Sequence, residues 1–144
     1  MNKVETAVSC FKGGFLCSQA ILSTYGPDLG LAHETALKIA GPFGGGMARM
    51  GQTCGAVIGA FMLIGLKYGQ SDIEDDGAKE KAYELVRKMT DSFISRHGAI
   101  ECRTLLGCDL GTTEGYAYAR SNDLFMTLCP KFVQDAAEIV EHLI

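Results

Sequence analysis

Charge is scarce in this chain of 144 residues, with Asp, Glu, Lys and Arg together at 21% and a net charge of −4. Binding to nucleic acid or to an anionic membrane through bulk charge needs a basic excess, so both classes are excluded. Proline is scarce as well, three residues in all, below the usual share of about 5%, so no proline-rich linker is expected. Long hydrophobic runs are missing. The longest uncharged apolar stretch, Cys54 to Leu66, has 13 residues and is closed by Lys67, whereas a membrane span takes roughly 20. The opening MNKVETAVSC contains Glu5 and no apolar run of about 7–15 residues, so no secretory signal is read there. The expected location is the cytoplasm.

What the chain does have is apolar content, at 47%, and 18 glycines. A chain of this size fits one domain, residues 1–144, burying roughly 68–70% of its unfolded surface without cross-links. Apolar residues recur at helical spacing: Val4, Ala7, Val8, Phe11, Phe15, Ile21 and Leu22 predict helices over 2–12 and 15–25, split by Gly13-Gly14. Further helices are expected over 31–39, over the apolar run, from about 78 to His97 before Gly98, over 100–106, from Thr112 or Thr113 to Arg120, and from Pro130 onward. Ser71 with Glu74, or else Asp76, is the expected cap before the long helix. No stretch alternates as a strand does. The expected fold is all-α, a compact bundle of about five to seven helices around a buried central helix. Gly51, Gly55 and Gly59 recur every fourth residue and predict a smooth stripe on that helix, against which a neighbour can pack closely. The preceding Gly44-Gly45-Gly46 loop is read as a tight turn, with an anion cradle as the rival reading.

Six cysteines in a reducing compartment point to metal or redox chemistry, unless they are buried as small hydrophobes. Four share one context, the expected start of a helix: Cys17, Cys54, Cys102 and Cys129. Unpaired N–H groups and the positive end of the helix dipole lower a thiol's pKa there. Charge on one thiolate opposes the next, so one acidic cysteine among more basic partners is expected, with Cys54 as the candidate. Their separations of 37, 48 and 27 residues match no zinc finger, ribbon or ferredoxin pattern. There is no CxxC, no CxxCH and no phosphate-binding GxxxxGK[ST]. Cys10 reads as packing and Cys108 as an extra thiol. His33, His97 and His142 read as surface or helix-end residues.

CGAVIG at Cys54–Gly59, with FGGGM before it at Phe43–Met47, resembles the signature of the C_GCAxxG_C_C family of small redox-active proteins. CSQAIL from Cys17, ECRTLLG around Cys102 and LCPKFVQDAAEIV around Cys129 extend the resemblance over nearly the whole chain. The family's cysteines correspond to Cys17, Cys54, Cys102 and Cys129. One departure is Thr53 where the signature has glycine before its cysteine. The sequence is also similar to a domain of split-Soret cytochromes, but without the haem-attachment motif, so no haem role is carried over.

The resemblance implies an oxidoreductase or electron-transfer protein with four convergent cysteines. They would either ligate an iron–sulfur cluster, with Gly55 of the signature as a cofactor contact, or cycle between dithiol and disulfide. The alternative is a non-catalytic helical adaptor with buried or zinc-bound structural cysteines. An unidentified redox partner is implied, and the glycine stripe with the apolar composition suggests a homodimer.

Overall fold

The computed structural model describes all 144 residues and contains no β-strand. The fold is all-α. Nine α-helices follow in order: α1 Lys3–Lys12, α2 Cys17–Tyr25, α3 His33–Ala40, α4 Gly55–Tyr68, α5 Asp76–His97, α6 Cys102–Leu106, α7 Thr113–Ser121, α8 Leu124–Thr127 and α9 Cys129–Glu141. Seven of them have eight residues or more; α6 and α8 are the short ones, with five and four. The count exceeds the five to seven expected by these two short pieces: α6 stands as a helix of its own after Gly98, and α8, which has no periodic signal of its own, forms directly ahead of α9.

The helix boundaries follow local chemistry. Asn2 caps α1 by accepting from the Glu5 N–H at 2.8 Å, and Thr112 caps α7 by accepting from the Gly115 N–H at 2.9 Å. At α5 the cap is neither Ser71 nor Asp76. Asp75 accepts from the Ala78 N–H at 3.0 Å, one residue before the expected candidate. Gly98, in the left-handed region at φ 82°, ends α5 where the sequence indicated. Gly26-Pro27 does end α2, but as the start of a 3₁₀ turn, Gly26–Leu29.

Helix α4 is the apolar one, and it packs against α2, α5 and α9. Ala56, Val57, Ala60, Leu63 and Ile64 are all buried, members of a core cluster of 27 residues. No helix is long and apolar enough to cross a membrane. The glycine stripe has two members on α4 instead of three, because Gly51 lies before the helix in the loop, at φ 71° beside Arg103. Gly55 and Gly59 both face α2. A Cβ at Gly59 would stand 2.9 Å from the Ile21 Cβ and 3.1 Å from the Ser18 carbonyl oxygen. Gly59→Ala is therefore expected to destabilise by about 1–3 kcal/mol in chemical denaturation. A stabilised variant, as at an exposed helix position, would contradict this packing.

Candidate thiol site

Two local devices bring the cysteines together. The first is a strap between the glycine loop and α6. The Cys54 N–H donates to the Ile100 carbonyl at 2.7 Å, the Cys102 N–H to the Gln52 carbonyl at 2.6 Å, and the Arg103 N–H to the Gly51 carbonyl at 3.1 Å. These bonds, with an isolated antiparallel bridge between Thr53 and Glu101, hold Cys54 alongside Cys102. Thr53, the departure from the family signature, sits in that bridge.

The second is the α2–α4 contact. The missing side chain at Gly55 leaves room for the Cys17 sulfur, since a Cβ there would stand 2.5 Å from it. Helix α2 is pinned at its first turn. Ser18 donates to the Ala40 carbonyl at 2.8 Å, and Gln19 donates to the Leu37 carbonyl at 3.1 Å while accepting from the Leu16 N–H at 2.9 Å. Cys17 is the first residue of α2, Cys54 the cap of α4, Cys102 the first residue of α6 and Cys129 the first of α9. Pro130 is thus second in its helix, one place later than its expected position.

All four cysteines line one cavity of about 600 Å³, together with Gly55. Cys54 and Cys102 are buried, whereas Cys17 and Cys129 are partly exposed. The acidic thiol is Cys17, not Cys54. Its pKa falls to about 7, chiefly through the Cys54 thiol; burial opposes the fall, and the N–H groups of Ser18, Gly45 and Ala56 assist it. Those three groups come from the start of α2, the glycine loop and the start of α4, so the Cys17 sulfur meets two helix N-termini at once. Cys54 is pushed well up, because the Cys17 sulfur keeps the Cys54 proton in place and because Cys54 is buried. Burial, then the charges of Cys17 and Cys108, raises Cys102 to about 12. Cys129 is raised further, by burial and by the charges of Cys17 and Cys102. One acidic thiol among basic ones is the pattern expected from mutual repulsion. The residue differs because Cys54, as a cap, has only its own helix ahead of it, whereas Cys17 is aimed at another.

The glycine loop resolves in the same terms. Residues Gly45 to Arg49 all have positive φ, from 53° to 71°, and the loop bends so that the Gly45 N–H serves the Cys17 sulfur. The turn cradles a side chain of the protein itself. Cys10 lies outside the cavity, 4.0 Å from the Ser23 hydroxyl, with burial raising its pKa. Cys108 is not among the lining residues, though its charge acts on Cys102.

Residues 15–143 match the family model described as "Putative redox-active protein (C_GCAxxG_C_C)". The chain belongs to that family. No curated protein and no solved structure matches it. The family is one of redox-active proteins by its description, and Cys17, Cys54, Cys102 and Cys129 all line the one cavity.

One group escaped the sequence reading. Asp135, on α9, is 2% exposed and bonded to Arg96, His97 and Lys131 at 3.0, 2.7 and 3.0 Å. His97 is the last residue of α5, as expected, but its ring is packed between Phe93 and Phe132 and is no surface group. The available signal was an acid inside the apolar stripe Phe132, Val133, Ala136, Ala137.

Proposed function

We propose that this protein carries out thiol–disulfide exchange, with Cys17 as the attacking thiolate and Cys54 as its resolving partner. The observation that supports this most is the Cys17 sulfur itself, held near neutral pKa beside a second thiol and partly open to a cavity. An attacking thiol works best with a pKa near ambient pH.

In the exchange, the Cys17 thiolate attacks one sulfur of a disulfide R–S–S–R. The S–S bond breaks, a Cys17–S–S–R bond forms, and the RS⁻ leaving group takes a proton from water. Cys17 then carries no charge, so the main influence keeping Cys54 protonated is gone. Cys54 loses its proton to water and attacks the Cys17 sulfur, releasing the second RS⁻. The substrate disulfide gains two electrons and becomes two thiols; the protein dithiol loses two and becomes a Cys17–Cys54 disulfide. A dithiol reductant restores the starting state. Gly55 contributes through what it lacks, since any side chain there would displace the Cys17 sulfur.

The same four cysteines are the donors an iron–sulfur cluster would take. No group of three or more His, Cys, Asp and Glu side chains is arranged to hold a metal ion; what supports the thiol reading is the lowered pKa of Cys17 beside the Cys54 thiol. Anaerobic purification with iron, sulfide and thiol analysis tests it. One equivalent of a small disulfide is expected to remove two thiols, and peptide mass spectrometry to find Cys17 linked to Cys54. Stoichiometric iron and sulfide, or Cys17 in no intramolecular link, would overturn it.

A further inference from the structure

The cavity is much larger than exchange between its own thiols requires. At about 600 Å³ it falls within the range of small-molecule sites, about 300–1,000 Å³. Of its 22 lining residues, 15 are hydrophobic, and Phe11, Phe15, Leu105, Phe125 and Phe132 build much of the apolar wall. Phe15 and Met126, both lining residues, remain 45% and 48% exposed, so an apolar surface continues from the wall toward solvent.

The polar groups beside this wall have one sign. The Arg49 guanidinium lies over the Tyr116 ring, 4.3 Å from its centroid, and donates to the Tyr116 hydroxyl at 3.3 Å. Arg120 stands 6.0 Å from the same ring. Arg49 and Tyr116 line the cavity. Neither arginine forms an ion pair, and Asp109, on the same side of the fold, is paired with Arg103. In a chain of net charge −4, two unpaired guanidinium groups around one ring make a local positive field. Arg49 is also the last of the five consecutive left-handed residues. Such a conformation is strained for a non-glycine residue, and this run sets Arg49 against the cavity.

We propose that the cavity binds a small anion with an apolar aromatic body, and that the disulfide used by the thiols belongs to this class. The body lies against the phenylalanine wall, the anionic group meets Arg49 and Arg120, and the sulfur–sulfur bond reaches Cys17. The disulfide part rests on the exchange reading; the recognition of an apolar anion does not.

The test uses the reduced full chain and two dyes with the same rings, anionic anilinonaphthalene sulfonate and neutral phenylnaphthylamine. Saturating sulfonate dye is expected to slow iodoacetamide labelling of Cys17 by more than about tenfold. Arg49→Met with Arg120→Met should weaken the sulfonate dye by about tenfold and shift the neutral dye by less than about twofold. The same pair of substitutions should slow exchange with dithiobis(nitrobenzoate), an aromatic dicarboxylate, and spare neutral dithiodipyridine. Unchanged Cys17 labelling, or equal effects on both dyes, would overturn the site. A site that binds with this charge preference in a protein unable to exchange disulfides would defeat the exchange reading alone.

Discussion

Iodoacetamide is expected to label Cys17 with a rate that is half-maximal near pH 7, while the other five cysteines label slowly until the solution is far more alkaline. The separation follows from the pKa directions. Cys17 is lowered to about 7, and Cys10, Cys54, Cys102, Cys108 and Cys129 are all raised. A free thiol with a pKa of about 8.5 is only a few per cent thiolate at pH 7; Cys17 would be about half. The sharper test removes Cys54. Its thiol is the largest influence holding Cys17 down, so Cys54→Ala should move the Cys17 profile to higher pH and cut its labelling at pH 7 several-fold. Cys102→Ala should leave that profile nearly in place, because Cys102 is not among the groups that lower Cys17. Cys17→Ser should abolish disulfide exchange outright. A Cys17 profile unmoved in Cys54→Ala would mean that backbone N–H groups alone set the acidity.

The second large effect concerns stability, at the ion cluster around Asp135 in the middle of α9. Arg96→Met with His97→Phe should destabilise the fold by about 3–5 kcal/mol, because it leaves a buried carboxylate poorly compensated. Methionine keeps the arginine stem, and phenylalanine keeps a ring between Phe93 and Phe132, so packing changes little. Asp135→Ala should cost less, about 1–3 kcal/mol. The cations it strands are reachable by water, with Arg96 39% and Lys131 58% exposed. Urea denaturation of the two variants measures this asymmetry; a larger loss in Asp135→Ala would reverse the account. The pH dependence has a definite sign. Burial raises the Asp135 pKa, but hydrogen bonds from Lys131 and His97 and the charges of Lys131 and Arg96 outweigh it, so the folded value lies below the ordinary one. Stability from this group is present above the unfolded carboxylate value, about 3.9, and is lost as pH falls through the folded value. The wild type should therefore lose its advantage over Asp135→Asn below about pH 4.

The helices were legible because their signals are local. A cap bonds within three residues, an apolar stripe repeats every three or four, and glycine in the left-handed region stops a helix at once; Asn2, Thr112 and Gly98 each behave so. The four cysteines were legible for the same reason, each standing at a helix start that the residues around it announce. Nothing local could say which of the four is acidic. That depends on Gly55 letting α2 approach α4, and on the loop turning so that the Gly45 N–H meets the Cys17 sulfur. It also depends on the strap in which the Cys54 N–H donates to Ile100 and the Cys102 N–H to Gln52, setting Cys54 beside Cys102. The cavity wall joins residues from Phe11 to Phe132, and the Asp135 cluster joins α5 to α9. The sequence by itself determined the helices other than α8 and the set of thiols, since backbone hydrogen bonds and capping act over a few residues. Only the tertiary structure decided the thiolate, the cavity and the buried ion cluster, because electrostatic and packing forces act between side chains according to distance in space, whatever their separation along the chain.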